Sequence, residues 1–96
     1  MYIVVSRWEV HPGKETEFDE MSALVRGKLR PMPGIEFLHS FKNIHGQVVV
    51  TVGYTDEPTY QGLVHAEDGP FQQLMAEHRL EDVSECVSSE RGEEIG

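Results

Sequence analysis

The side chains best suited to chemistry fall in the second half of the chain. His65 and His78 are imidazoles on a segment whose apolar residues recur with helical spacing. Imidazole is the side chain that most readily exchanges a proton near neutrality, so either residue is a candidate general base. Phe71, Leu74, Met75 and His78 follow the i, i+3, i+4, i+7 pattern of one helix face. Arg79, the next residue, is a candidate partner for an anion. Packing at the rim of a core is the competing role for both histidines. His11, His39 and His45 fall on a turn, a strand and a loop, with no spacing that would gather them on a metal. Cys86 has no basic neighbour in sequence to lower its thiol pKa, so a nucleophilic role is not expected. There is no phosphate-binding glycine loop, no CxxC and no HExxH.

Composition narrows the classes. The chain has 96 residues, the size of one small domain. Its 17 acidic residues outnumber 8 Lys and Arg, for a net charge of −9. That charge repels a phosphate backbone and an anionic lipid surface, so neither nucleic acid nor membrane is an expected partner. No apolar run reaches the roughly 20 residues that span a bilayer. A single cysteine makes no internal disulfide, which suits the cytoplasm.

The elements that must position these groups follow from periodicity. Tyr2 to Val10 alternates, with Tyr2, Val4, Ser6, Trp8 and Val10 on one face and Ile3, Val5, Arg7 and Glu9 on the other. Pro12-Gly13 breaks the strand. Acidic residues from Glu15 to Glu20 then favour a helix start. Phe18, Met21, Leu24, Val25 and Leu29 form the expected buried stripe, and Trp8 is expected to pack against Phe18. Pro31 and Pro33 stop the helix. A second strand, Ile35 to Phe41, places Ile35, Phe37, His39 and Phe41 on one face. The loop Asn43 to Gly46 leads into a valine-rich third strand, Gln47 to Tyr54, buried on both sides. Thr55-Asp56-Glu57-Pro58 opens a helix from Thr59 to about His65. A break at Ala66 to Pro70 precedes the helical piece carrying His78. Val83 to Ser88 is the last strand, and residues 91–96 form a loose tail. The core therefore spans about residues 2–88.

The order βαββαβ is the α+β, ferredoxin-like arrangement: a four-stranded antiparallel sheet with both helices on one face. The other face keeps Ile3, Val5 and apolar residues of strands two and three. Large uncovered apolar surfaces mark partner sites, so a homodimer joined through the sheet faces is expected.

This pattern resembles the antibiotic biosynthesis monooxygenase family of dimeric α/β barrels. The resemblance rests on Trp8-Glu9-Val10-His11-Pro12-Gly13-Lys14-Glu15 with Phe18, and on Met32-Pro33-Gly34-Ile35. It continues through Val49 to Tyr54 with Asp56-Glu57, and Leu63-Val64-His65 with Gly69-Pro70-Phe71. It implies a dimer with a cavity between sheet and helices in each subunit. The family includes oxygenases that convert phenols or anthrones to quinones without flavin or metal, so no cofactor is expected. It also includes quinol oxygenases and haem-degrading enzymes. Tyr54 and Tyr60 match two aromatic positions of the anthrone-oxidising branch, and Val50 replaces that branch's Asn. The three haem-branch positions fall at Ser6, Leu63 and near Met75, and none keeps the branch's residue. The resemblance thus implies monooxygenation of a small aromatic, with Tyr60, His65 and His78 in catalysis. Tyr54, Ser6, Trp8, Leu63, Phe71, Met75 and Arg79 would form the substrate pocket. Two other functions stay open on the same scaffold. One is a non-catalytic small-molecule-binding protein. The other is a dimerisation module whose cavity is filled by Trp8, Phe71 and Met75. Haem binding through His78 is a further alternative.

Overall fold

A computed structural model describes all 96 residues. The alternation in the first segment becomes strand β1, Tyr2–Val10, which lies in the interior of the sheet between β3 (Val48–Tyr54) and β4 (Ser84–Glu93). The order is β2-β3-β1-β4, with β2 spanning Ile35–Lys42, and every pairing is antiparallel. The register sets Tyr2, Val4, Ser6 and Trp8 beside Tyr54, Val52, Val50 and Val48. That face receives the helices.

Helix α1, Glu15–Leu29, lays Phe18, Ser22 and Val25 inward. Phe18 and Val25 pack with Val48, Leu80 and Val83, and Trp8 joins this cluster as expected. Burying a side chain such as Phe18 stabilises the fold by about 1.5–3 kcal/mol. Leu24, assigned from spacing to the buried stripe, is instead 54% exposed. Ser22 and Arg26 take inward positions in its place.

The second helical region has three parts. Helix α2, Glu57–Tyr60, continues directly into a π-helical turn, Gln61–His65. Asp56 caps it: the Thr59 backbone N–H and hydroxyl both donate to Oδ1, at 2.9 and 2.6 Å. The Thr59 hydroxyl first, then its N–H, holds the Asp56 carboxyl below the usual carboxylate range. The π turn closes with Ala66 N–H on the Gln61 carbonyl at 3.0 Å, and the Gln72 amide donates to the Val64 carbonyl at 2.8 Å. Helix α3, Pro70–Glu77, ends at His78, whose extended backbone leads to a short 3₁₀ turn, Leu80–Asp82. Tyr60, Tyr2, Tyr54, Val52 and Leu38 make the second core cluster, against which Leu63, Val64 and Ile35 pack.

One strand boundary and one strand face differ from expectation. β4 runs to Glu93 and pairs along all of β1, from Val10↔Ser84 to Tyr2↔Glu93. Residues 91–93, expected in a loose tail, are therefore held by ladder hydrogen bonds. In β2 a register shift between Ile35 and Phe37 turns Ile35 to the helix side opposite Tyr54, away from Phe37 and His39. Such a shift flips side chains because the strand period is two.

Gly34 adopts φ +97°, a left-handed conformation, and its carbonyl accepts the Thr55 N–H at 3.0 Å. This links the start of β2 to the start of α2. On the outer face, the Phe37 ring lies across Gly53, where a Cβ would come within 2.7 Å of it. Phe41 is 56% exposed there, and Ile3 and Val5 are half-buried. No helix covers this face. No helix of the chain is long and apolar enough to cross a membrane.

Candidate functional site

Between the sheet and the helices lies a cavity of about 290 Å³, with 14 hydrophobic residues among the 18 that line it. This sits at the small end of the range of about 300–1,000 Å³ for ligand pockets. β1 supplies Val4, Ser6 and Trp8 to the wall, and β3 supplies Val48, Val50 and Tyr54. Tyr60 and Val64 come from α2 and the π turn, and Phe71 and Met75 from α3. Trp8, Phe71 and Met75 therefore line open space and do not fill it, contrary to the dimerisation-module expectation.

Polar groups are few. The Trp8 indole N–H donates to Ser6 Oγ at 2.9 Å, which fixes the indole along the strand. Tyr54 and Tyr60 meet edge to face, with centroids 5.2 Å apart at 67°. Burial, and secondarily the neighbouring Tyr60, pushes the Tyr54 phenol up to about 12. Tyr54 thus stays protonated at physiological pH and can donate a hydrogen bond, but is no base.

Tyr60 is different. Its hydroxyl lies 2.8 Å from His65 Nε2, and the two rings stand at 84°. In a regular α-helix, residues five apart point in different directions. The π turn, with its i→i+5 hydrogen bonding, brings His65 over Tyr60. His65 itself is exposed. When its Nε2 carries no proton, it accepts from the phenol, and the pair connects the cavity wall to bulk water. On the sheet side of the same ring, the Arg91 guanidinium carbon sits 5.9 Å from the Tyr60 centroid, within cation–π range.

Of the residues named from sequence, Ser6, Trp8, Tyr54, Tyr60, Phe71 and Met75 come together around the cavity. His65 reaches it through Tyr60. The other three do not line it. Leu63 packs against the Tyr2–Tyr60 cluster. His78 lies beyond the last turn of α3 and sets Nε2 3.2 Å from Lys28 Nζ. Arg79 is exposed and bridges to Asp82 at 3.2 Å and Glu81 at 3.9 Å. The chain leaves helical geometry at His78, so extrapolating the α3 face past Glu77 misplaces both.

Ser22, Arg26, Cys86 and Ser89 are wall residues that escaped the sequence reading. Ser22 and Arg26 stand one turn apart on the inward face of α1. The signal was available, since a polar pair interrupts the apolar stripe, but Arg26 also fits the basic helix terminus that favours the dipole. Cys86 and Ser89 line the β4 side, and Cys86 Sγ–H points to the Ser88 carbonyl at 3.5 Å. No group of three or more His, Cys, Asp or Glu side chains is placed to hold a metal ion.

The chain has the α+β, ferredoxin-like fold seen in several solved structures named antibiotic biosynthesis monooxygenase. It is similar to SnoaB, a cofactor-independent oxygenase from Streptomyces nogalater, with a TM-score of 0.79 at 16% identity over 99% of this chain and 93% of that one. It is similar to a structure named antibiotic biosynthesis monooxygenase, with a TM-score of 0.77 at 13% identity over 100% of both chains. A conserved protein from Methanosarcina mazei Go1 superposes with a TM-score of 0.74 at 14% identity over 95% of this chain and 87% of that one. No family model and no curated protein matches the sequence.

Proposed function

We propose that this protein is a cofactor-independent monooxygenase that oxidises a small phenol-, quinol- or anthrone-like aromatic. The observation that carries the reading is the Tyr60–His65 hydrogen bond in the wall of an apolar cavity. The cofactor-independent oxygenase with the same fold supports it. An electron-rich phenol becomes a reductant for oxygen once it loses its proton. The protein must then supply a dry pocket, an acceptor for that proton and orientation. Tyr60 would take the substrate proton on its oxygen as it passes its own to His65 Nε2, and His65 would release it to water. Conversion of a ring CH₂ to C=O supplies four electrons. One oxygen atom enters the product and the other leaves as water. The neutral Tyr54 phenol would hold a substrate oxygen. A homodimer through the uncovered sheet face belongs to the same proposal, with Phe41, Ile3 and Val5 on that face.

The test is oxygen uptake with hydroxylated polycyclic aromatics and quinols, chosen from those that raise Tm. Uptake that Tyr60→Phe abolishes supports the reading. A non-catalytic binding protein is the second reading, favoured by a cavity wall with no Asn, Gln, Asp or Glu. Raised Tm without oxygen uptake from any ligand would decide for it.

A further inference from the structure

We infer that the cavity takes a ligand with an apolar body and one carboxylate, and that Arg26 pairs with that carboxylate. This deepens the small-molecule reading of the same cavity and rests on it. Arg26 is the one charged side chain among the lining residues. Its Nη1 donates to Ser22 Oγ at 3.1 Å. Ser22 is buried, and its own hydroxyl donates to the Asp19 carbonyl at 3.3 Å, which leaves the oxygen lone pairs facing Arg26. The guanidinium is thus held in the wall by a neutral acceptor.

What Arg26 lacks is a counter-charge. The chain carries 17 acidic residues against 8 Lys and Arg, so acids are plentiful. Its ion pairs engage Lys14, Lys28, His78 and Arg79, and none engages Arg26. Arg26 is half-buried, so the part of its guanidinium turned to the apolar wall is the part that gains from a paired anion. A guanidinium presents five donors in a planar fork that matches a carboxylate two bonds at a time, and Ser22 engages one of its nitrogens. The remaining wall, 14 hydrophobic residues of 18, calls for an apolar body on the same ligand.

The experiment uses calorimetric titration of the full chain with 2-naphthoate and with the neutral isostere 2-naphthamide. Naphthoate should bind about 10- to 100-fold tighter, the range for a charge-assisted pair. Arg26→Gln should erase that preference and leave naphthamide affinity within about twofold. Arg26→Lys keeps the charge without the fork and should fall between. If Arg26→Gln does not fold by circular dichroism, Arg26→Lys decides alone: an undiminished preference overturns the inference. Equal affinity for the two ligands in the wild type, a preference that survives Arg26→Gln, or no binding of either at millimolar concentration also overturns it. Naphthoate preference without oxygen uptake by any phenol, quinol, anthrone or phenolic acid leaves this inference standing and removes the oxygenase. Uptake with neutral phenols as efficient as with phenolic acids does the reverse.

Discussion

Tyr60 Oη and His65 Nε2 are 2.8 Å apart, and only Tyr60 faces the cavity. The phenol is therefore the contact group and the imidazole acts through it. Tyr60→Phe should lower turnover of a phenolic substrate by about 10²-fold or more, the usual size of a general-base contribution. His65→Gln should lower it less, because an amide oxygen can hold the phenol hydrogen but cannot take its proton. Unchanged turnover in His65→Gln would mean that the imidazole only packs.

The buried Tyr54 phenol gives a stability signature at high pH. Its folded-state pKa, about 12, lies above the ordinary value of 10.0. Folding then favours the protonated form. The stabilisation is complete below about pH 10 and is lost as pH rises towards about pH 12. Denaturant titrations should show a fall of up to about 2 kcal/mol across that window. Tyr54→Phe should be flatter there by the same amount. Parallel curves for the two proteins would show that the phenol is as well solvated as in the unfolded chain.

Gly34 should be intolerant of a side chain for two separable reasons. Its φ of +97° penalises any Cβ, and that Cβ would run into the Thr59 Cγ2 methyl. Gly34→Ala should destabilise by about 2–4 kcal/mol in chemical denaturation. Thr59→Ser removes the methyl but keeps the hydroxyl on Asp56. The double variant should recover the steric part and retain about 1–2 kcal/mol from the backbone. No recovery would place the whole effect in the backbone.

The outer face should hold two copies together. Light scattering at micromolar concentration should give twice the 10.9 kDa chain mass. Phe41→Asp, at a position already 56% exposed in the single chain, should shift the mass to that of one chain without unfolding it. A wild-type mass of one chain removes the dimer.

The element order was legible because the apolar period changes cleanly from two to helical and back. Strand β1 falls where alternation places it, and the valine run of β3 is buried as such runs are. The end of β4 was not legible. Ser88, Ser89, Glu90 and Arg91 have little strand preference of their own, and pairing with β1 supplies it. The site was half legible. Tyr60 and the residues on strands and inside α3 landed on the cavity, and Leu63 in the π turn did not. His78 and Arg79 did not, because nothing local announces that the helix stops at Glu77. The π turn, which joins His65 to Tyr60, has no spacing signature, since one extra residue in a turn leaves composition unchanged.

β2 and β4 are the open borders of the sheet, and they differ in character. β4 carries Glu85, Glu90 and Glu93 among serines, with every residue from Glu85 onward exposed except Ser88. An incoming strand would have to lie against three carboxylates, with Arg91 alone to offset them, in an already acidic protein. The long polar β4 thus acts as a guard rail along its own border of the sheet, turning away the added strand from which fibre-like stacking would start.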